Sequence, residues 1–257
     1  MNIVLFGYGK MGKEIEKIAI ERGHTINLKI DVNNINSISK GDLQKCDVAI
    51  EFSTPHSAIS NMTICFDAAL PVVVGTTGWY DKSDEIKKLC TEKNACLFYA
   101  SNFSIGVNIF FKVNEYLAKM MNNYSDYNVS IEEIHHVHKL DSPSGTGISL
   151  ANQITSNLTR KKRWVASPLH PSPKVEGNIS SMQTQKEVLE IISKREAEVP
   201  GTHSVKYHST IDDIEIIHKA HNRKGFALGA VLAAEFIKGK KGIYGMNDMM
   251  SLAEAKV

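Results

Sequence analysis

The feature that most limits what this chain can fold into is a glycine pattern at the end of its first apolar run. Ile3-Val4-Leu5-Phe6 is continuously apolar and stops at a glycine, which suits a strand buried on both faces of a parallel sheet. Gly7-Tyr8-Gly9-Lys10-Met11-Gly12 follows, and Met11, Ile15, Ile18 and Arg22 then recur at helical spacing. Ala19 widens that stripe and Gly23 is placed to end the helix. Each glycine of such a G-x-G-x-x-G has a physical reason. Gly7 permits the tight turn, Gly9 lets the backbone approach a pyrophosphate, and Gly12 lets helix and strand pack closely. The helix N-terminus adds free N–H groups and positive dipole. Ile26 to Ile30 reads as the next strand, and Asp31 at its end can bind ribose hydroxyls. This combination predicts a nicotinamide or flavin dinucleotide site.

The same alternation continues. Val48 to Phe52, Pro71 to Gly75 and Cys96 to Ala100 read as strands, separated by helical faces at Ile59, Met62, Phe66, Ala69 and at Ile86, Leu89, Cys90. Strands separated by helices of this length imply βαβ units with right-handed crossovers. After about Asn102 the grammar changes. A helix is expected over 105–121, a strand over Tyr127 to His138, a helix over 147–158 and a long loop from Arg160 to Gln185. Three extended segments follow near 187–193, 203–209 and 213–219, then a last helix from Phe226 to Ile237. Consecutive strands without helices suggest a mixed or antiparallel sheet. The expected fold is α/β, an N-terminal Rossmann-type parallel sheet plus an α+β domain. The expected domains are 1–104 with 220–257, and 105–219. At 257 residues the chain has room for roughly 1.7 domains of about 150 residues.

Charge narrows the function. Thirty Lys and Arg against 28 Asp and Glu leave +2, which gives no reason to expect nucleic acid or an anionic membrane as partner. The run Arg160-Lys161-Lys162-Arg163-Trp164 is then expected to be a solvated loop. No apolar run approaches the roughly 18 residues of a membrane span. Cys46, Cys65, Cys90 and Cys96 form no C-x-x-C pair, so reduced thiols in a cytoplasmic protein are expected.

The loops Gly75-Thr76-Thr77-Gly78 and Ala100-Ser101-Asn102-Phe103 lie at C-terminal strand edges, where open α/β sheets bind ligands. The densest polar constellation is Glu132-Glu133-Ile134-His135-His136-Val137-His138-Lys139-Leu140-Asp141-Ser142-Pro143-Ser144-Gly145-Thr146-Gly147. It places histidines and a lysine at a strand end, beside a Ser/Gly/Thr turn that opens a helix and suits an anion. An acid/base and anion site is the favoured reading. Zinc on His136, His138 and a carboxylate is sterically possible, but C-x-x-C and H-E-x-x-H spacings are missing, so no metal is expected.

These residues resemble the 4-hydroxy-tetrahydrodipicolinate (dihydrodipicolinate) reductase family. The likeness runs through Gly7 to Gly12, Glu51-Phe52-Ser53-Thr54-Pro55, Val74 to Gly78, Ala100 to Asn108, the stretch from Glu133 to Thr146, and Ile217-His218-Lys219-Ala220. Departures are Val137, where arginine is frequent, a short segment after Asp31, and Val32, where some relatives carry a basic residue. The resemblance implies NAD(P)H-dependent reduction of a cyclic dicarboxylate with loss of water, in the diaminopimelate route to lysine. It implies His135 as acid/base residue, Lys139 as proton donor, and His136, Gly145 and Thr146 on a substrate carboxylate. It assigns cofactor binding to Gly7, Tyr8, Gly9, Lys10, Met11, Gly12, Asp31, Gly75, Thr76, Thr77, Ala100, Ser101, Asn102 and Phe103. It further implies a homotetramer built through the second sheet. Asp31 and Val32 favour NADH at least as much as NADPH. Two other readings remain: a semialdehyde dehydrogenase, which needs a nucleophilic cysteine, and a catalytically silent NAD(H) sensor, which needs no His135/Lys139 pair.

Overall fold

The computed structural model describes residues 1–167, 187–222 and 224–251. The described residues fall into two compact units, one of residues 1–105 and 224–251, the other of residues 106–222.

In the first unit six strands form one parallel sheet. They are β1 (Asn2–Phe6), β2 (Thr25–Ile30), β3 (Val48–Glu51), β4 (Val72–Val74), β5 (Cys96–Tyr99) and β11 (Gly242–Tyr244), in the order β11-β5-β4-β3-β1-β2. The central strands are almost wholly apolar, Asn2 and Glu51 at strand ends apart, because both faces are covered, as a parallel sheet requires. On one side lie α1 (Lys10–Glu21) and the late helix α7 (Lys224–Ile237), packed around Ile3, Leu5, Ile15, Ala230 and Ala234. On the other lie α2 (Lys40–Leu43), α3 (Pro55–Asp67) and α4 (Ser83–Glu92), around Val4, Phe6, Met62, Leu97 and Trp79. Full burial of each Ile, Leu, Val, Phe or Met among them contributes roughly 1.5–3 kcal/mol. Arg22 locks α7 to α1 with two hydrogen bonds of 2.8 Å to Glu235, and His24 adds one of 2.7 Å. Near the C-terminus, α8 (Met246–Met250) follows β11.

The second unit is a mixed five-stranded sheet. β6 (Asn128–His135), β7 (Arg163–Ser167), β8 (Val188–Arg195), β9 (Thr202–His208) and β10 (Asp213–Lys219) lie in the order β10-β9-β6-β8-β7. β6, β8 and β7 run parallel, while β9 is antiparallel to β6 and β10. One face packs on α5 (Ile105–Met121) and α6 (Gly145–Asn157), through Phe110, Ala118, Ile131, Leu150, Ile154 and Tyr207. The fold class expected from the sequence is the one found.

Three local expectations need correction. The strand expected to run to His138 ends at His135, because the chain turns there: the Lys139 N–H donates to the His136 carbonyl and Val137 N–H to Ala197. The basic run is not a solvated loop. Lys161 is 2% exposed with Nζ donating to the Val188 carbonyl, and the Arg160 guanidinium donates to the carbonyls of Met121 and Tyr127. Arg163–Ser167 is a strand rather than loop, and residues 168–185 of that expected loop lie outside the described residues.

Candidate active site

The glycine loop has the shape its sequence implies. Gly7 sits at φ +89°, and a Cβ there would lie 2.2 Å from the Phe52 carbonyl oxygen. A Cβ on Gly12 would lie 2.4 Å from the Gly7 oxygen, so both glycines are dictated by close packing of backbone. Gly9 differs. A Cβ there would meet nothing within 4 Å, so its side is open for a ligand to approach the backbone. No acidic residue stands in the first turn of α1, whose N-terminal N–H groups suit an anion. This cradle fits a dinucleotide. Lys10 is exposed there, and Met11 packs against the core.

Asp31 follows β2 directly, is exposed, and accepts a 2.8 Å hydrogen bond from the Asn33 N–H. Lys29 is engaged elsewhere: its ammonium bonds Glu16 at 2.7 Å and the Tyr8 hydroxyl at 3.1 Å, and the same hydroxyl donates to Glu16. Thr76 is buried and ties two loops, its hydroxyl accepting from the Ser53 N–H at 2.8 Å, while Thr77 is exposed. Gly75 leaves room for the Phe52 ring. Ala100, Ser101 and Asn102 line the edge after β5, whereas the Phe103 side chain is core, packed 5.5 Å from the Phe52 ring.

Beneath these loops lies Glu51, which sequence reasoning quoted but gave no role. It is fully buried at the end of β3, and its Oε1 accepts from Ser53 and Asn61. Burial pushes its carboxyl up against those hydrogen bonds.

In the second unit, β6 delivers His135 from its buried face. Burial pushes His135 below the usual imidazole value, opposed by Glu133 and reinforced by Lys139 and Arg195. His203 packs edge-on at 5.0 Å, pushed down by burial to about 3. Both rings are therefore neutral at pH 7. The Lys139 ammonium bonds both oxygens of Asp141, at 2.8 and 2.9 Å. Burial works to raise the Asp141 carboxyl, but Lys139 brings it below its ordinary value. Arg195 pins this segment by donating to the carbonyls of Lys139 and Asp141. Ser144 caps α6, and Gly145 and Thr146 stand in its first turn. A Cβ on Gly145 would meet nothing within 4 Å. His136 has a buried Nδ1 without a partner, and His138 reaches out to Glu198 at 3.4 Å.

The described residues hold one His/Glu trio, Glu133, His135 and His203, with one ligand atom each within 4.8 Å of the others. The Glu133 oxygens accept from Ser144 and Ser193, and His203 Nε2 bonds Ser144, so this trio forms a hydrogen-bonded network. Sequence reasoning missed Arg195, His203 and the role of Glu133. Only Glu133 carried a signal: it is a carboxylate among Val129 and Ile131 on alternate positions of a strand.

Comparison with known proteins fits this architecture. Residues 1–103 match the family model described as dihydrodipicolinate reductase, N-terminus, and residues 106–250 match that of its C-terminus. The chain belongs to the dihydrodipicolinate reductase family. A relative from Christiangramia forsetii, named 4-hydroxy-tetrahydrodipicolinate reductase, is 47% identical over 98% of both chains. One of the same name from Acinetobacter baumannii is 35% identical over 84% of this chain and 76% of its own. Among solved structures, a dipicolinate-bound dihydrodipicolinate reductase from Paenisporosarcina superposes with a TM-score of 0.73 at 21% identity, covering 96% of this chain and 98% of its own. An amine dehydrogenase from Mycobacterium smegmatis shares the fold more distantly, with a TM-score of 0.55 at 11% identity, covering 95% and 94%. As a member of the reductase family the chain is an oxidoreductase with an NAD(P)-binding Rossmann unit. No described helix is long and apolar enough to cross a membrane.

Proposed function

We propose that the chain reduces 4-hydroxy-tetrahydrodipicolinate to tetrahydrodipicolinate, with loss of water, in the diaminopimelate route to lysine. The observation that carries the reading is one chain matching both halves of the family and keeping His135, Lys139 and the capped Gly145-Thr146 turn together in its second unit. When bound, the nicotinamide cofactor supplies the hydride. The chain's own residues do the rest. His136, Gly145 and Thr146 take a substrate carboxylate, for which helix N–H groups and charge-assisted donors are strong partners. Lys139, loosened from Asp141, donates the proton to the ring nitrogen or the departing hydroxyl. His135, held neutral by burial, acts as relay. The residues 1–104 and 220–257 serve the cofactor, and 105–219 serve the substrate.

NADH is used at least as well as NADPH. Asp31 places a carboxylate beside the ribose position, Val32 offers no cation, and Lys29 is held by Glu16 and Tyr8. The assembly is a homotetramer joined through the second sheet, whose open face presents Val165 and Ile217. Cytoplasmic residence fits the four free thiols. A semialdehyde dehydrogenase is disfavoured, since burial pushes the thiols of Cys65, Cys90 and Cys96 up, away from the reactive thiolate.

The test is direct. Purified protein, supplied with NADH and the product of dihydrodipicolinate synthase, should consume NADH, followed as loss of its ultraviolet absorbance. Binding of NADH without turnover would make the chain a sensor instead.

A further inference from the structure

The side chains that β6 turns inward run Val129, Ile131, Glu133, His135, so an apolar strand face ends in a carboxylate and an imidazole. Glu133 is fully buried, which is costly for a carboxylate unless its oxygens are hydrogen-bonded. They are. The Ser144 N–H donates to both oxygens, at 2.9 and 3.1 Å, Ser193 Oγ donates at 2.9 Å, and the Ser144 hydroxyl gives its proton to Oε2. With its one proton committed, that hydroxyl can only accept elsewhere, and it has two partners. Gly147 N–H reaches it at 3.1 Å, capping α6, and His203 Nε2 reaches it at 3.1 Å, which assigns the proton of that neutral ring to Nε2. Glycine at 147 is what permits this approach, since a Cβ there would lie 2.6 Å from Glu133 Oε2. The same carboxylate lies 3.9 Å from His135 Nδ1 and 4.0 Å from Arg195.

We propose that Glu133 is the positioning residue of this site: through Ser144 it clamps the N-terminus of α6 to the strand end bearing His135, fixing the spacing between imidazole and anion-binding turn. This rests on the reading of His135 as the acid/base residue. Glu133 has a second effect on that ring. The groups facing His135 are Glu133, Asp141, Lys139, Arg195 and His203, and the cations among them oppose a proton on it. Replacing the Glu133 carboxylate by an amide removes the nearest charge that favours that proton.

The test measures kcat, KM and their pH profiles for the full chain as Glu133→Gln, Ser144→Ala and His135→Ala. Ser144→Ala loosens the cap and should raise the KM for the dicarboxylate about tenfold or more, because small displacements of a binding group are costly. Glu133→Gln can keep the Ser144 N–H on its amide oxygen while its NH2 donates to a serine hydroxyl turned around. It should keep KM within a few-fold but move to lower pH, by about one unit, the limb of the kcat profile that His135→Ala abolishes. Thermal unfolding of each variant separates these effects from loss of fold. If Ser144→Ala and Glu133→Gln both keep wild-type KM and pH profile while His135→Ala loses kcat, the positioning role is wrong and the acid/base reading stands. If His135→Ala keeps its kcat, the acid/base reading falls, and the KM of Ser144→Ala still decides whether the clamp shapes the anion site.

Discussion

At the scale of single residues, the two glycines of the α6 turn meet opposite surroundings. A Cβ at Gly147 would collide with the Glu133 carboxylate, while one at Gly145 would enter open space. Gly147→Ala should therefore destabilise the fold by about 1–3 kcal/mol through overpacking, read as a lowered urea midpoint. Gly145→Ala should change stability by no more than about 0.5 kcal/mol and instead raise substrate KM, because a carboxylate sits against that turn in the proposed reaction. An unchanged KM in Gly145→Ala would show that the open side of Gly145 is not where substrate binds. Lys139 separates from its neighbours in the same way. As proton donor, its replacement by alanine should lower kcat by roughly 10² to 10⁴, the usual range for losing a general acid. The NADH Kd, measured by fluorescence titration, should barely move. Thr146→Ala, losing one carboxylate contact, should act mainly through KM. A Lys139→Ala enzyme with near-normal kcat and only a raised KM would reduce the pair to carboxylate binding.

At the scale of elements, β1, its glycine loop, α1 and β2 were legible because each carries a strong local pattern: a continuous apolar strand, three spaced glycines and a helical stripe. What escaped depends on partners distant in sequence. Arg163–Ser167 looks like loop because its strand character comes from pairing with β8, 25 residues later, and not from its own basic composition. Gly242–Tyr244 is too short to show alternation and is a strand because it completes the edge beside β5. In the candidate site, His135 and Lys139 stood out as chemistry-bearing residues in one run, whereas His203 and Arg195 reach Glu133 from other strands. The Glu16, Tyr8 and Lys29 arrangement is of this second kind, joining α1, the glycine loop and β2. It carries a prediction on cofactor choice. Lys29 lies near the end of β2 and Asp31 directly follows the strand, both exposed. With Glu16→Gln the Lys29 ammonium is released toward a 2′-phosphate, and kcat/KM for NADPH should rise about fivefold relative to NADH, the scale of one surface charge pair. Adding Lys29→Ala should cancel the gain. An unchanged ratio would mean that Glu16 does not govern the choice.

At the scale of the whole molecule, three depressed histidines make stability depend on pH in one direction. Burial lowers His135, His203 and His218, with His203 brought to about 3. In the unfolded chain each returns to an ordinary value of about 6.5. Between those values the unfolded chain binds protons that the folded chain refuses, so falling pH favours unfolding. Stability should be flat above about pH 6.5, then decline toward acid, with His203 contributing about 1 kcal/mol per pH unit and levelling off near its folded value. Glu51 works against this trend. Its carboxyl is raised by burial, so the folded chain takes up that proton first and gains stability as pH falls through the folded value. Carboxylates held below their ordinary values by hydrogen bonds and ion pairs, Asp47 and Glu235 among them, act with the imidazoles, so the net slope remains downward toward acid. His203→Gln removes the most depressed group while its amide can still donate to Ser144, where His203 now sits at 3.1 Å. Thermal melts of both proteins between about pH 7 and pH 4 should therefore start close together and diverge, with the variant losing less as the medium acidifies. Parallel curves would show that His203 is not the source of the acid sensitivity.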